Sequence, residues 1–422
     1  MTPRPNQIAG LAAAIGALHR LDTPADSMLH HFFRAHPAMG QHDRAFIAEG
    51  VFAWLRRRRS LEFLAGTTSP ARLALAVIVR ELSSSIRELQ ESLKRDDIEW
   101  LRGFKARAAT PLEPAVAADL PDWLWERLGE AYGEEERAAL ARALSTPAPL
   151  DLRTNPLKTT REAARAGLAA SGFDAVPTPY SPLGLRLAGR PALNRHPLFL
   201  DGSIEVQDEG SQLVGWLVAP RRTEMIADFC AGAGGKTLLL GAMMRSQGRL
   251  YAFDVSEKRL AKLKPRLARS GLSNVHPQLL ENERDVRVKR LAGKLDRVLV
   301  DAPCTGFGTL RRNPDLKWRQ TQAGLAELTA KQSSILAAAA TLVKPGGRLV
   351  YATCSILPEE NEAIVAAFVA SHPAFAMVPV APELARAGIA LDTGDTLKVL
   401  PHRHGCDGFF AAVLERRAAG AA

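Results

Sequence analysis

Two cysteines stand where a thiol can do chemistry. Val298-Leu-Val-Asp-Ala-Pro-Cys-Thr-Gly-Phe-Gly308 and Tyr351-Ala-Thr-Cys-Ser355 each combine an apolar stretch of strand type with a break into Pro, Gly or Thr. Each break carries a cysteine, Cys304 or Cys354, to the C-terminal end of a strand. In open parallel sheets that edge binds ligands. A third break lies upstream, in Met225-Ile-Ala-Asp-Phe-Cys-Ala-Gly-Ala-Gly-Gly-Lys-Thr237. Its glycines let a ligand approach the backbone, and the helix that follows opens with N–H groups lacking intrahelical partners. One strand further on, Tyr251-Ala-Phe-Asp-Val-Ser256 carries Asp254 at its end. An acid there either accepts bonds from ribose hydroxyls or caps the next helix.

A thiolate is the strongest ordinary side-chain nucleophile near neutral pH. One reaction that needs it beside a nucleotide-like cofactor is methylation of cytosine at C5, a carbon too electron-poor to attack a methyl donor unaided. Thiolate addition at C6 makes C5 enamine-like. After methyl transfer a base removes the C5 proton and the sulfur departs. Two cysteines suit this addition and elimination, and an acid such as Asp301 can bond the pyrimidine at N3 or its amino group. The competing reading is that both cysteines merely fill tight turns, around Pro303, Gly306 and Gly308 in the case of Cys304. Gly234-Gly-Lys-Thr237 also invites a phosphate-binding reading. It is neither Gly-x-Gly-x-x-Gly nor a Walker loop, whose first glycine it lacks at the required spacing.

The chain that must position these residues has 422 of them, 46% hydrophobic and 24% charged, with a formal net charge of +10. These values describe a globular protein of several domains whose basic balance fits a nucleic-acid partner. The four cysteines form no Cys-x-x-Cys pair and no His cluster at ligand spacing, which argues against zinc and against a disulfide framework. No apolar run reaches the ~20 residues of a membrane span. The Ala-rich start is interrupted by His19 and Arg20 and reads as a helix rather than an export signal. A cytoplasmic monomer without a metal is expected.

Periodicity divides the chain into three. Residues 1–144 are expected to be helical, with helices at Ile8–Leu21, Pro24–His36, Asp43–Leu64, Ala71–Lys94 and Pro121–Leu144. The run Arg56-Arg-Arg-Arg59 within them is either a solvated helix face or a phosphate-contacting patch. Residues 145–220 read as a small α/β insert, in which Asn155 and Lys158 are either RNA contacts or an ordinary turn and surface lysine. From 221 to 418, strands and helices alternate as in a Rossmann-like parallel sheet covered on both faces. Its strands are expected to end at Asp228, Asp254, Leu280, Asp301 and Ala352, and Gly408–Leu414 adds one more.

With these motifs in hand, a family resemblance is specific. Asp228-Phe-Cys-Ala-Gly-Ala-Gly-Gly-Lys-Thr237, Asp301-Ala-Pro-Cys-Thr-Gly-Phe-Gly308 and Ala352-Thr-Cys-Ser355 resemble the signature set of the Sun-type RNA (cytosine-5)-methyltransferases. Arg311-Arg-Asn-Pro-Asp-Leu-Lys-Trp318 is similar to the bacterial branch acting on small-subunit 16S rRNA. Gln207-Asp-Glu-Gly-Ser211, Pro358-Glu-Glu-Asn-Glu362 and Asp407-Gly-Phe-Phe410 resemble further family blocks. The helical region looks like the NusB-like RNA-binding domain of that branch. The resemblance implies a class I methyltransferase sheet, S-adenosyl-L-methionine as cofactor and RNA as partner. It also implies roles by position: Cys354 as nucleophile, Cys304 as the cysteine that helps release product, and Asp301 beside the methyl donor and the base. Cys230, Ala231, Gly232, Ala233, Gly234, Gly235 and Lys236 would hold the cofactor, and Asp254 its ribose. Two departures stand out. The adenine-side acid of the family falls on Asn282, and Gly232-Ala233 replaces Ala-Pro, which should loosen the turn. Three rivals remain on sequence grounds: a DNA cytosine methyltransferase attacking through Cys304, a nucleotide-hydrolysing enzyme using the Gly-Lys-Thr, and a non-catalytic RNA-binding ribosome-assembly factor that keeps the fold.

Overall fold

The computed structural model describes residues 3–189 and 191–418, so the first two positions of the expected helical domain and Arg190 of the insert lie outside the described residues. The chain forms two compact units, one of Met1–Pro147 with Leu310–Thr321, the other of Ala148–Thr309 with Gln322–Ala422.

The first unit is helical. Pro5–Leu18, Ala25–Ala35, Gln41–Ala65, Pro70–Arg80 and Arg95–Arg107 enclose a core that includes Leu11, Ile15, Ile47, Val51, Trp54, Leu73 and Phe104. Asp122–Leu144 follows. The expected helix Ala71–Lys94 is not continuous. It stops at Arg80, Ser83 adopts φ 58°, and a single turn, Ile86–Leu89, restarts under a reciprocal Ser85–Glu88 cap. Serine side chains compete for backbone hydrogen bonds, so the run Ser83–Ser85 breaks what apolar spacing alone continues.

The arginine run sits at a kink, where Arg57 has φ −116° and ψ 20°. There the Ser60 N–H donates to Asp119 Oδ1 at 2.8 Å instead of to a helical carbonyl. Residues 310–321 take up two of the carbonyls at the break. Trp318 Nε1 donates to Leu55 O at 2.7 Å and Lys317 Nζ to Arg56 O at 2.8 Å. Trp318 also packs against the helical core. Arg57 lies 3.6 Å from Asp119, Arg58 donates to Glu62 at 2.9 Å, and Arg59 reaches Asp122 at 2.7 Å. These three arginines are therefore half-buried and each faces a carboxylate, rather than forming a bare solvated face.

In the second unit, β1 (Leu150–Thr154), β2 (Ala175–Pro177), β3 (Gly184–Leu187) and β4 (Ile204–Val206) form an antiparallel sheet in the order β2-β3-β1-β4. Helix Arg161–Ala170 packs on it through Ala164 and Leu168. This is the small α/β insert. Asn155 is a turn residue, its amide donating to Gly202 O and Ser270 O, and Lys158 Nζ donates to Asp201 O. Glu209–Val218 forms a helix that the sequence reading did not anticipate, and its Leu213, Val214 and Leu217 join the core of the larger sheet.

That sheet contains β5 (Met225–Asp228), β6 (Arg249–Asp254), β7 (Val275–Leu279), β8 (Leu295–Asp301), β9 (Val343–Thr353), β10 (Phe375–Val378), β11 (Leu397–Val399) and β12 (Phe409–Arg416). Its order is β10-β12-β9-β8-β5-β6-β7, with β11 also on β12. Strands β5 to β9 pair in parallel. The β12 pairings are antiparallel, so one edge departs from the all-parallel expectation. Strand order reverses between β5 and β8, the switch point at which such sheets bind ligands. Among the described residues no single helix is long and apolar enough to cross a membrane.

Lys317 yields a test of the first unit. It is 2% exposed, and burial pulls its ammonium down to about 7, with Asp119 opposing and Arg57 and Arg56 adding to the fall. Above pH 7 the unfolded chain therefore binds more protons at this site than the folded one, so stability rises with pH until the unfolded lysine titrates. Against Lys317→Met, the wild type should gain on the order of 1 kcal/mol per pH unit between pH 7.5 and 9.5, read from chemical denaturation. Parallel pH profiles for the two proteins would show that Lys317 titrates normally.

Candidate active site

The ends of β5, β6, β8 and β9 open on one cavity of about 510 Å³. It is lined by Cys230, Ala231, Gly232, Ala233, Gly235, Lys236, Asp254, Asn282, Asp301, Cys304 and Cys354, with Phe229, Leu280 and Ile335 as apolar wall. Gly234 stands behind the lining. It caps the following helix with φ 85°, and a Cβ there would come within 2.1 Å of Leu263 Cδ1, so only glycine fits.

The glycine loop is tied down from several sides. Gly232 N–H donates to Asp254 Oδ2 at 2.8 Å, and Ala231 N–H to Phe253 O at 2.8 Å. Arg266 Nη1 donates to Ala233 O at 2.7 Å, and Arg153 Nη1 to Gly235 O at 2.7 Å. The turn expected to loosen at Gly232-Ala233 is thus held in place. Arg153 also bonds Gln207, and Arg266 shares Glu205 with Arg269. Neither arginine carried a sequence signal, since both lie outside the glycine motif and meet it only through the fold. The helix after β6 is capped by Ser256, which accepts from Arg259 N–H, while Asp254 takes the Ser256 N–H at 2.7 Å and stays at the cavity edge.

Beyond the glycine loop, β8 and β9 run side by side with Asp301 opposite Ala352. The turns that follow bring Cys304 Sγ within 3.4 Å of Cys354 Sγ. The hydrogen bond to Cys354, burial and the negative charge of Glu360 together hold the Cys304 thiol well above its ordinary value. Lys236 belongs to this end of the cavity as much as to the glycine loop. Its Nζ meets Asp301 Oδ2 at 2.7 Å and lies over the Phe409 ring. Burial alone would lower this ammonium, but the charge and hydrogen bond of Asp301 outweigh it and hold the lysine up. Burial lifts Asp228 to about 7, against the Thr237 hydrogen bond. Burial, with the carboxylates of Asp228, Asp301 and Asp254, keeps Cys230 a thiol. Asn282 uses its side-chain oxygen to accept the Arg284 N–H at 2.8 Å. All four cysteines are unbridged, and Cys406 is buried in the core. Among the described residues no group of three or more His, Cys, Asp and Glu side chains is placed to hold a metal ion.

The chain is similar to known proteins in sequence and in fold. Residues 215–415 match the model of the 16S rRNA methyltransferase RsmB/F family, and residues 120–194 that of the RsmF/B-like ferredoxin-like domain. A probable ribosomal RNA small subunit methyltransferase B from Synechocystis is 39% identical over 298 residues, 70% of this chain and 66% of that protein. The ribosomal RNA small subunit methyltransferase B of Sodalis glossinidius is 33% identical over 408 residues, 89% of this chain and 90% of its own. Among solved structures, PH0851 superposes with a TM-score of 0.79 at 27% identity, covering 99% of this chain and 100% of that one. A methyltransferase homolog from Pyrococcus horikoshii gives 0.61 at 28% identity, covering 72% and 97%.

Gly308 tests how tightly the cysteine turns are packed. Its N–H donates to Cys354 O at 2.9 Å, and its carbonyl accepts from Gly408 N–H at 2.8 Å. A Cβ there would sit 2.0 Å from Gly408 O and 2.8 Å from Cys354 O. Gly308→Ala should cost about 1–3 kcal/mol, measured as a fall in the thermal midpoint. An unchanged midpoint would mean the turns have slack.

Proposed function

The chain belongs to the 16S rRNA methyltransferase RsmB/F family and is an RNA methyltransferase; we propose that it methylates C5 of a cytidine in 16S rRNA, through a covalent cysteine–C6 adduct and with S-adenosyl-L-methionine as donor. The observation that carries this reading is the pair of sulfurs 3.4 Å apart in the cavity that also receives the glycine loop. Two thiols at that separation have no evident use in oxygen or nitrogen methylation, whereas C5 chemistry needs one to add and benefits from a second when the first departs.

The residues present fit the cofactor. The loop from Cys230 to Lys236 leaves a glycine cradle at a helix start, Asp254 supplies a carboxylate for the ribose hydroxyls, and Leu280 and Ile335 supply apolar wall for an adenine. Asn282 stands where the family places an acid, and its Nδ2 is the group available to a ring nitrogen. When bound, S-adenosyl-L-methionine supplies an electrophilic methyl.

The chain does the rest. Cys354 adds to C6 as the thiolate, which makes C5 nucleophilic. The Lys236–Asp301 pair faces the pyrimidine edge, at N3 or the exocyclic amino group, and stabilises the negative charge that addition creates. Loss of the C5 proton to a base then allows the C6–S bond to break. Cys304, held as a thiol, donates toward the departing Cys354 sulfur and stabilises it as a thiolate. The helical unit, which resembles a NusB-like RNA-binding domain, is assigned to gripping the substrate.

Labelled S-adenosyl-L-methionine incubated with free 16S rRNA and with small subunits should yield 5-methylcytidine on nucleoside analysis. A different methylated nucleoside would overturn the C5 assignment. Cys354→Ala should lose turnover by at least a thousandfold and form no covalent adduct. Cys304→Ala should slow product release and accumulate protein on RNA, seen on denaturing gels. An adduct formed by Cys354→Ala would reverse the two roles.

A further inference from the structure

Behind the two cysteines lies a carboxylate that does not line the cavity and, among the described residues, pairs with no lysine or arginine. Glu360 is 0% exposed. Its Oε1 accepts the Thr305 N–H at 2.8 Å and Gln332 Nε2 at 3.0 Å. Its Oε2 accepts Thr305 Oγ1 at 2.5 Å and Ser355 Oγ. Thr305 follows Cys304 and Ser355 follows Cys354, so one side chain holds the residue after each sulfur-bearing position. The main chain of Glu360 is anchored as well, its carbonyl accepting Tyr351 Oη at 2.6 Å from β9. Gln332 completes the frame by also donating to Pro303 O at 3.0 Å, on the other side of Cys304.

The chemistry of this knot selects its centre. Ser355 Oγ already accepts the Leu357 N–H at 3.1 Å, so it turns its own hydrogen toward Glu360. Around the carboxyl group stand a backbone N–H, an amide N–H and two hydroxyls, all donating. An ionised carboxylate, acceptor at both oxygens, satisfies four donors. A glutamine would place an NH₂ against two of them, and a shorter or apolar residue would leave buried donors without partners.

We propose that Glu360 is a positioning residue of this enzyme: its buried carboxylate ties the Cys304 turn to the Cys354 turn and so sets the approach of the two sulfurs. The inference rests on the two-cysteine reading above, and it adds a residue that does not meet substrate. The fixed negative charge behind Cys304 is the second part of its action, since it disfavours a second thiolate beside the first.

The test compares wild type, Glu360→Gln and Glu360→Ala by two readouts. The first is iodoacetamide alkylation of Cys304 and Cys354, followed peptide by peptide as a function of pH, which needs no turnover. The second is methyl transfer together with binding of S-adenosyl-L-methionine. Glu360→Gln removes the charge and keeps the size, so the Cys304 alkylation profile should move to lower pH, at least fivefold faster at pH 8. Glu360→Ala should lose kcat at least a hundredfold while the cofactor Kd stays within threefold. A Cys304 profile in Glu360→Gln that coincides with wild type overturns the proposal, even where Glu360→Ala does not fold. So does a folded Glu360→Ala that turns over within threefold of wild type. Failure of the C5 reading instead would appear as absence of 5-methylcytidine from the wild-type reaction, with the alkylation shift intact.

Discussion

Everything at the site depends on β8 and β9 being neighbours in parallel register. Asp301 stands opposite Ala352, so the two chains leave the sheet at the same height and turn toward the same opening. Parallel neighbours need a long crossover, here the stretch containing Gln322–Ala340, which returns Gln332 to the underside of the turns. A shift of one residue between these strands would carry one thiol away from the other and turn every alternate side chain to the wrong face. The apolar rows Val298, Val300, Leu349 and Tyr351 resist such a shift because they are buried in one cluster with no room to slide.

Charge is distributed around this geometry with little waste. Lys236 and Asp301 satisfy each other, Asp254 is spent partly on Gly232 and Ser256, and Glu360 is satisfied entirely by neutral donors. Burying charge is costly unless each lone pair finds a hydrogen. Glu360 meets that condition with a backbone N–H, an amide and two hydroxyls, which hold the cysteine turns without a cation behind them.

The motifs were legible because they sit at strand ends, where a switch from apolar residues to Gly, Pro and Cys marks both the structure and the chemistry. Asp254, Asp301, Cys304 and Cys354 meet in one cavity as their positions in the alternating pattern implied. What stayed hidden came from contacts distant in sequence. Arg153 reaches the glycine loop across 82 residues, and nothing local distinguishes it from any other strand arginine. Glu360 lay within a visible block, yet its spacing alone could not tell a helix-start acid from a buried knot. The pairing of the arginine run was hidden too, since composition shows neither the kink at Arg57 nor the carboxylates of Asp119 and Asp122 beside it. The serine break after Arg80 shows the same limit, apolar spacing continuing where backbone hydrogen bonding does not.

The packing of residues 310–321 within the helical unit has a consequence for synthesis. Trp318 and the Leu55 carbonyl it caps are 263 residues apart. At a ribosomal pace of roughly 5–20 residues per second, the first helices emerge on the order of tens of seconds before the piece that completes them. Until residues 310–321 are made, the Leu55 and Arg56 carbonyls lack the donors they meet in the finished unit. The helical unit is therefore completed only once β8 has been made, although its first helices precede the whole sheet in the chain.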